Sequence, residues 1–167
     1  LSIGDALAIS TLKKKKINNL DFKKFHPSGS LGEKLKTAED LMLTKEKIPF
    51  INENKSMTKA LKIMTEKKLG TLIVRNKKKH TTGIITDGQI RRFNSKNINI
   101  NSLRVKDVMT KNPIKIDKNI LATKALAIMN EKKITSLLVV SEKDLLRKNK
   151  VLKGIIHIHF LLQNGIK

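Results

Sequence analysis

The sequence contains no cysteine, tryptophan or tyrosine, and only five phenylalanines and three prolines in 167 residues. Without cysteine the chain forms no disulfide and offers no thiolate to a metal, a composition that suits a cytoplasmic protein. No stretch approaches the roughly 18 uninterrupted apolar residues that span a bilayer, so no membrane-spanning helix is expected. The opening Leu1-Ser2-Ile3-Gly4-Asp5 has no signal-peptide pattern, and the missing initiator methionine suggests that the chain starts inside a longer gene product. Acidic residues are scarce as well: 36 Lys and Arg face 14 Asp and Glu, a formal net charge of +22. Such a charge attracts nucleic acid and anionic membranes. The stacking aromatics that accompany nucleic-acid binding are absent, however. The lysines are also scattered among many Ile and Asn, as an AT-rich coding sequence would produce. Neither nucleic acid nor membrane is therefore an expected partner, whereas small anionic ligands are favoured by the field.

Apolar residues make up 39% of the chain, enough for a folded core and too many for disorder. The length allows one core, or two of about 60 residues each. An internal duplication decides for two. Residues 60–74 (ALKIMTEKKLGTLIV) return as residues 125–139 (ALAIMNEKKITSLLV), with nine of fifteen positions identical. The flanks repeat in the same order. Asp40-Leu41-Met42 matches Asp107-Val108-Met109, and Gly83-Ile84-Ile85-Thr86 matches Gly154-Ile155-Ile156-His157, at offsets of 65 to 71 residues. A whole unit has been duplicated.

Each unit has one local plan. Ala60, Ile63 and Met64, and again Ala125, Ile128 and Met129, recur at helical spacing and give one apolar face. Ser56 and Asn119 stand where N-caps are expected. The apolar runs at residues 71–74 and 136–140 read as buried strands, followed by polar, lysine-rich turns at 75–80 and 141–150. A second apolar run (83–85, or 151–156) then leads into a short helix, capped by Asp87 in the first unit and ended near Gly165 in the second. The expected order is strand, helix, strand, strand, helix, with the two small sheets packed face to face.

This arrangement resembles the tandem CBS domain, or Bateman module, over residues 38–167, and the resemblance implies an α+β fold. It also implies a cleft beside each repeat that holds an adenine nucleotide or related ligand, and association of the pairs into homo-oligomers. The ligand signature of that family ends each repeat with Gly-apolar-apolar-Thr-x-x-Asp. Its hydroxyl and helix N-terminal amides meet phosphate, and its carboxylate accepts from ribose. Repeat one supplies Thr86 and Asp87 but has Gln89 in place of the ribose carboxylate, with Arg91 and Arg92 following on the helix. Repeat two has His157 for the Thr and Phe160 for the Asp. Thr86 and Asp87 are read either as the edge of a ligand cleft or as a plain helix N-terminus. His157 and His159 are expected to share one face at a strand end, engaged in packing or hydrogen bonds; without a third ligand nearby no metal site is expected.

The first 36 residues lie outside the repeat. Residues 2–16 read as an amphipathic helix, and Pro27 and Gly29 mark a turn before a second short helix. Gly4-Asp5-Ala6-Leu7-Ala8, then His26-Pro27-Ser28-Gly29-Ser30-Leu31-Gly32, then residues 83–92 (GIITDGQIRR), occur in the order found at the end of arabinose-5-phosphate isomerases. That family joins a sugar isomerase (SIS) domain to two CBS repeats. It interconverts D-ribulose 5-phosphate and D-arabinose 5-phosphate for 3-deoxy-D-manno-octulosonate and lipopolysaccharide synthesis. The resemblance implies a remnant of the SIS domain at 1–36, CBS repeat 1 at 37–100 and CBS repeat 2 at 101–167. By it, His26 corresponds to a histidine of the isomerase site, suited by its titration to proton shuttling through an enediol. The sugar-phosphate loop and the other catalytic side chains of the family have no counterpart here. The expectation is thus a regulatory or assembly part that is not catalytic alone and needs no cofactor. Its parent is expected to be a cytoplasmic tetramer, and its ligand a nucleotide or nucleotide sugar. The competing readings are a free-standing nucleotide-sensing CBS pair and a basic nucleic-acid-binding protein.

Overall fold

Two stretches of alternating and continuous apolar sequence, each long enough for a three-stranded sheet, need a helix on one face and a partner on the other. The computed structural model, which describes residues 35–145 and 151–167, shows this solution twice. In repeat one, strand β1 (Phe50–Asn52) is followed by helix α2 (Met57–Lys67), β2 (Thr71–Arg75), β3 (Thr81–Thr86) and helix α3 (Asp87–Asn94). In repeat two, β5 (Lys115–Asp117), α5 (Ala122–Lys132), β6 (Ser136–Val140), β7 (Leu152–His157) and α7 (Ile158–Gln163) follow the same order. The strand–helix–strand–strand–helix expectation holds in both. The polar turn after β6 also carries a short helix, α6 (Glu142–Leu145). The first helix and turn read from the sequence, and His26 with them, lie outside the described residues.

Within each sheet the first strand runs parallel to the second and the third antiparallel to it, with registers Phe50↔Ile73 and Lys115↔Leu138 in equivalent places. Three apolar clusters form the layers. One fills the helix side of repeat one around Leu72, Ile85 and Met57. A second fills the helix side of repeat two around Leu137, Ile156 and Met129. The third lies between the sheets, where Ile73 and Ile84 meet Leu138 and Ile155. The sheets therefore pack face to face, as expected.

The segments that lead into the repeats cross over. Residues 37–43, with the short helix α1 (Ala38–Leu41), precede repeat one yet pack on repeat two: Ala38 belongs to its helix-side cluster, and Leu43 exchanges backbone hydrogen bonds with Ile155. Helix α4 (Val105–Val108) and strand β4 (Thr110–Lys111) precede repeat two yet pack on repeat one, with Val105 and Val108 in its core and β4 beside β3. This crossing explains the duplicated Asp-x-Met and Gly-Ile-Ile motifs. A Cβ on Gly83 would lie 2.6 Å from Met109 Sδ, and one on Gly154 would lie 2.5 Å from Met42 Sδ. Each glycine is the bare spot over which the other leader passes.

The same crossing corrects one cap. Ser56 caps α2, accepting from the Lys59 N–H, as expected. Asn119 does not cap α5; its own N–H donates to Asp117 Oδ1 at 2.7 Å, and the helix begins three residues later. The Ala122 N–H donates instead to the Lys36 carbonyl at 2.8 Å, and the Met57 N–H of α2 donates to the Leu103 carbonyl at 3.0 Å. A leader carbonyl from the other repeat thus meets each long helix and satisfies an otherwise orphaned donor.

Candidate functional site

The residues at the end of each repeat converge where the two sheets meet. Thr71 and Ser136, the first residues of β2 and β6, occupy equivalent positions and share a buried hydroxyl–hydroxyl hydrogen bond of 2.8 Å. Opposite them in register stand Thr86 and His157, which end β3 and β7 and begin α3 and α7. Thr86, not Asp87, is the N-cap of α3, and Asp87 is its exposed first residue.

Gln89, expected to face a ribose, faces the protein. It is 6% exposed. Its Oε1 accepts from the Thr86 N–H at 2.8 Å and from the Thr86 hydroxyl at 3.4 Å. Its Nε2 donates to the Val108 carbonyl at 3.1 Å and to Thr110 Oγ1 at 2.6 Å. Two donors and two acceptor sites are the whole capacity of a side-chain amide, so none is left for a ligand. Gln89 fastens the crossing leader to α3. Arg91 and Arg92 are exposed in the last turn of α3, about 7.5–9 Å of helical rise beyond Thr86. They do not join the group at the helix start.

The junction between β7 and α7 falls between His157 and His159, so the two histidines do not share a strand face as the sequence spacing implied. The turn of the helix still brings them together, with ring centroids 5.0 Å apart. His157 is 5% exposed, and its Nδ1 accepts from the His159 N–H at 3.3 Å as the N-cap of α7. Burial, with the neighbouring His159, lowers the His157 pKa to about 4, and Asp87 opposes both. Asp87, His157 and His159 are thus the expected site residues that the fold gathers. Among the described residues no group of three His, Cys, Asp or Glu side chains is placed to hold a metal ion. Asp87 also lines an open groove of about 360 Å³ between α2 and α3, with Leu61, Met64, Lys68, Gly70 and Ile90.

Two residues that the sequence did not single out sit on the sheet–sheet face of repeat one. The Arg75 guanidinium lies 3.2 Å from the centroid of the Phe50 ring, and Phe50 packs against the cluster between the sheets. The Arg75 Nε is buried without a hydrogen-bond partner. On the equivalent rung of repeat two, Val140 stands opposite Asp117, whose Oδ2 is likewise buried and unpartnered. Among the described residues no helix is long and apolar enough to cross a membrane.

The CBS domain family profile matches residues 38–96 and 105–159. The chain belongs to the CBS domain family. The folded CBS pair is similar to an uncharacterized conserved protein from Pyrococcus horikoshii, with a TM-score of 0.66 and 23% identity over 80% of this chain and 95% of that one. It is similar as well to CBSX2 from Arabidopsis thaliana in complex with AMP, with a TM-score of 0.63 and 22% identity over 77% of this chain and 95% of that one. In sequence, the chain is 37% identical to the arabinose 5-phosphate isomerase KdsD of Yersinia pestis over 99% of its own length and 49% of that protein. It spans about half the length of the curated relatives it matches.

Proposed function

We propose that this CBS pair is the regulatory and assembly part of an arabinose-5-phosphate isomerase, a cytoplasmic homo-oligomer that interconverts ribulose 5-phosphate and arabinose 5-phosphate. One observation carries the choice over a free-standing sensor. The similarity to KdsD runs over 99% of the chain, so it includes residues before 38 that lie outside the CBS match. A nucleotide sensor alone has no use for that segment. On this reading His26 belongs to the isomerase site, and residues 1–36 close a SIS domain whose sugar-phosphate loop lies elsewhere in the parent. The connection also favours coupling. The Lys36 carbonyl holds the first N–H of α5, and Leu43 pairs with Ile155, so the entry to the module is tied to repeat two rather than to the repeat it precedes. Movement of one repeat against the other, driven by a nucleotide or nucleotide sugar in the cleft, would pull on that entry.

The test has two arms. Purified chain is expected to show no conversion of arabinose 5-phosphate, and the full-length parent to show it; turnover by the chain alone would sink the reading. Calorimetric titration with AMP, ATP and CMP-linked octulosonate separates a ligand-responsive module from one that acts through packing and assembly.

A further inference from the structure

We propose that Arg75, held over the Phe50 ring, is an anion subsite on the sheet–sheet face of repeat one, built to take the phosphate or carboxylate of a ligand. The proposal rests on the reading of the module as ligand-binding and gives that reading one residue. Arg75 follows Ile73 by two on β2, and Ile73 lies between the sheets; strand alternation puts both on that face. Phe50, opposite Ile73 on the parallel strand β1, completes the arrangement.

Three features separate Arg75 from the many surface lysines. Its guanidinium carbon sits over an aromatic ring, 3.2 Å from the centroid, a contact that restrains the fork and lowers the entropy lost on binding. Its Nε is buried and unpartnered, a cost that proteins seldom leave uncompensated. Among the described residues no carboxylate offsets the effect of burial, which lowers its pKa. A half-buried arginine stays protonated, so the missing counter-charge has to come from outside the described residues. A phosphate or carboxylate supplies that charge and accepts from the guanidinium fork. Repeat two has no such subsite, because Val140 and Asp117 occupy the equivalent rung, and one anion per chain is expected.

The test titrates this chain with inorganic pyrophosphate and separately with gluconate, an uncomplicated sugar carboxylate, by calorimetry and thermal shift. R75M keeps an unbranched apolar stem beside Phe50 and removes the charge; R75K restores a charge without the fork. Loss of charge-assisted hydrogen bonds of this kind costs about 1.5–3 kcal/mol, or roughly 10- to 150-fold in affinity. The expected result is one site in the wild type, at least about tenfold weaker in R75M and intermediate in R75K, with the ligand-free melting temperature of R75M unchanged or raised. The preferred anion tells phosphate from carboxylate ligands. Replacing the exposed Lys77 and Lys78 with alanine controls for diffuse attraction and is expected to leave the site intact. Binding equal in R75M and wild type overturns the subsite but leaves a ligand cleft standing. Absence of binding of either probe to the wild type overturns the subsite, while binding of AMP in the same titration keeps the ligand-binding reading. A lower melting temperature in R75M with unchanged pyrophosphate affinity shows a packing role and overturns the proposal as well.

Discussion

Thr71 and Ser136 stand 65 residues apart and share one buried hydrogen bond of 2.8 Å. Because each is the repeat counterpart of the other, the bond lies where the two units meet about their internal two-fold relation. It pins the sheets in register at a point otherwise packed by Ile73, Ile84, Leu138 and Ile155, which have no directional preference. Removing one hydroxyl leaves the other buried and unpaired. S136A and T71V are each expected to cost about 1–3 kcal/mol, whereas the double variant recovers part of that loss. Chemical denaturation of the four proteins gives the coupling energy; additive losses would deny the bond its role.

The leader crossing makes a second expectation. Gly83 and Gly154 each lie under a methionine and a backbone carbonyl of the opposite leader, with Thr110 O at 2.9 Å and Leu43 O at 2.7 Å from the Cβ that glycine lacks. Backbone cannot step aside as a side chain can. G83A and G154A are expected to destabilise by about 1–3 kcal/mol through overpacking. Hydrogen exchange tells them apart: G154A speeds exchange at the Leu43 amide, and G83A at residues of α4 and β4. Equal effects on both leaders would contradict the crossed arrangement.

The repeat, the order of elements and the face-to-face sheets were legible in the sequence because they follow from apolar periodicity and from the second copy. The crossing was not, since the match of Asp40-Leu41-Met42 to Asp107-Val108-Met109 says that two leaders are alike and not which sheet each one covers. Asn119 misled for the same reason: a cap supplied by the Lys36 carbonyl leaves no side-chain signature near the helix it caps. Gln89 sits at the family's ligand position, and only the structure shows its amide fully spent on Thr86, Val108 and Thr110. In the sequence Arg75 opens a lysine-rich turn at 75–80 and carries no mark of its own. The signal that would have found it is a contrast between the copies, a charged residue where the second repeat continues with Val140.

The engagement of Gln89 predicts the result of an isosteric change. Q89E keeps an oxygen to accept from the Thr86 N–H, but puts its second oxygen where Nε2 donates to the Val108 carbonyl at 3.1 Å. Two acceptors then face each other in a buried site, and the charge adds its desolvation. A loss of about 2 kcal/mol or more is expected at neutral pH, consistent with an unpaired buried polar group. The loss should shrink in acid, where a protonated carboxyl can donate to that carbonyl. Stability of Q89E equal to wild type at pH 7 would show that the amide is not held as described.

His157 gives the chain a pH dependence whose sign is fixed. Burial, aided by His159 and opposed by Asp87, holds its folded pKa near 4, below the usual 6.5 of the unfolded chain. Between those values the unfolded state binds the proton and the folded state does not, so acid favours unfolding there. The contribution of neutral His157 is therefore complete above about pH 6.5 and is lost as pH falls through that window towards 4, a swing of order 2–3 kcal/mol. Protonation also places a donor at Nδ1, where the ring now accepts from the His159 N–H to cap α7. H157N keeps a side-chain acceptor at the cap and removes the titration. Carboxylates titrate near the bottom of the same range, so the informative quantity is the difference between wild type and H157N from pH 7 to 4.5. Wild type should lose stability faster by urea denaturation. Parallel curves would mean that His157 titrates near its ordinary value despite its burial.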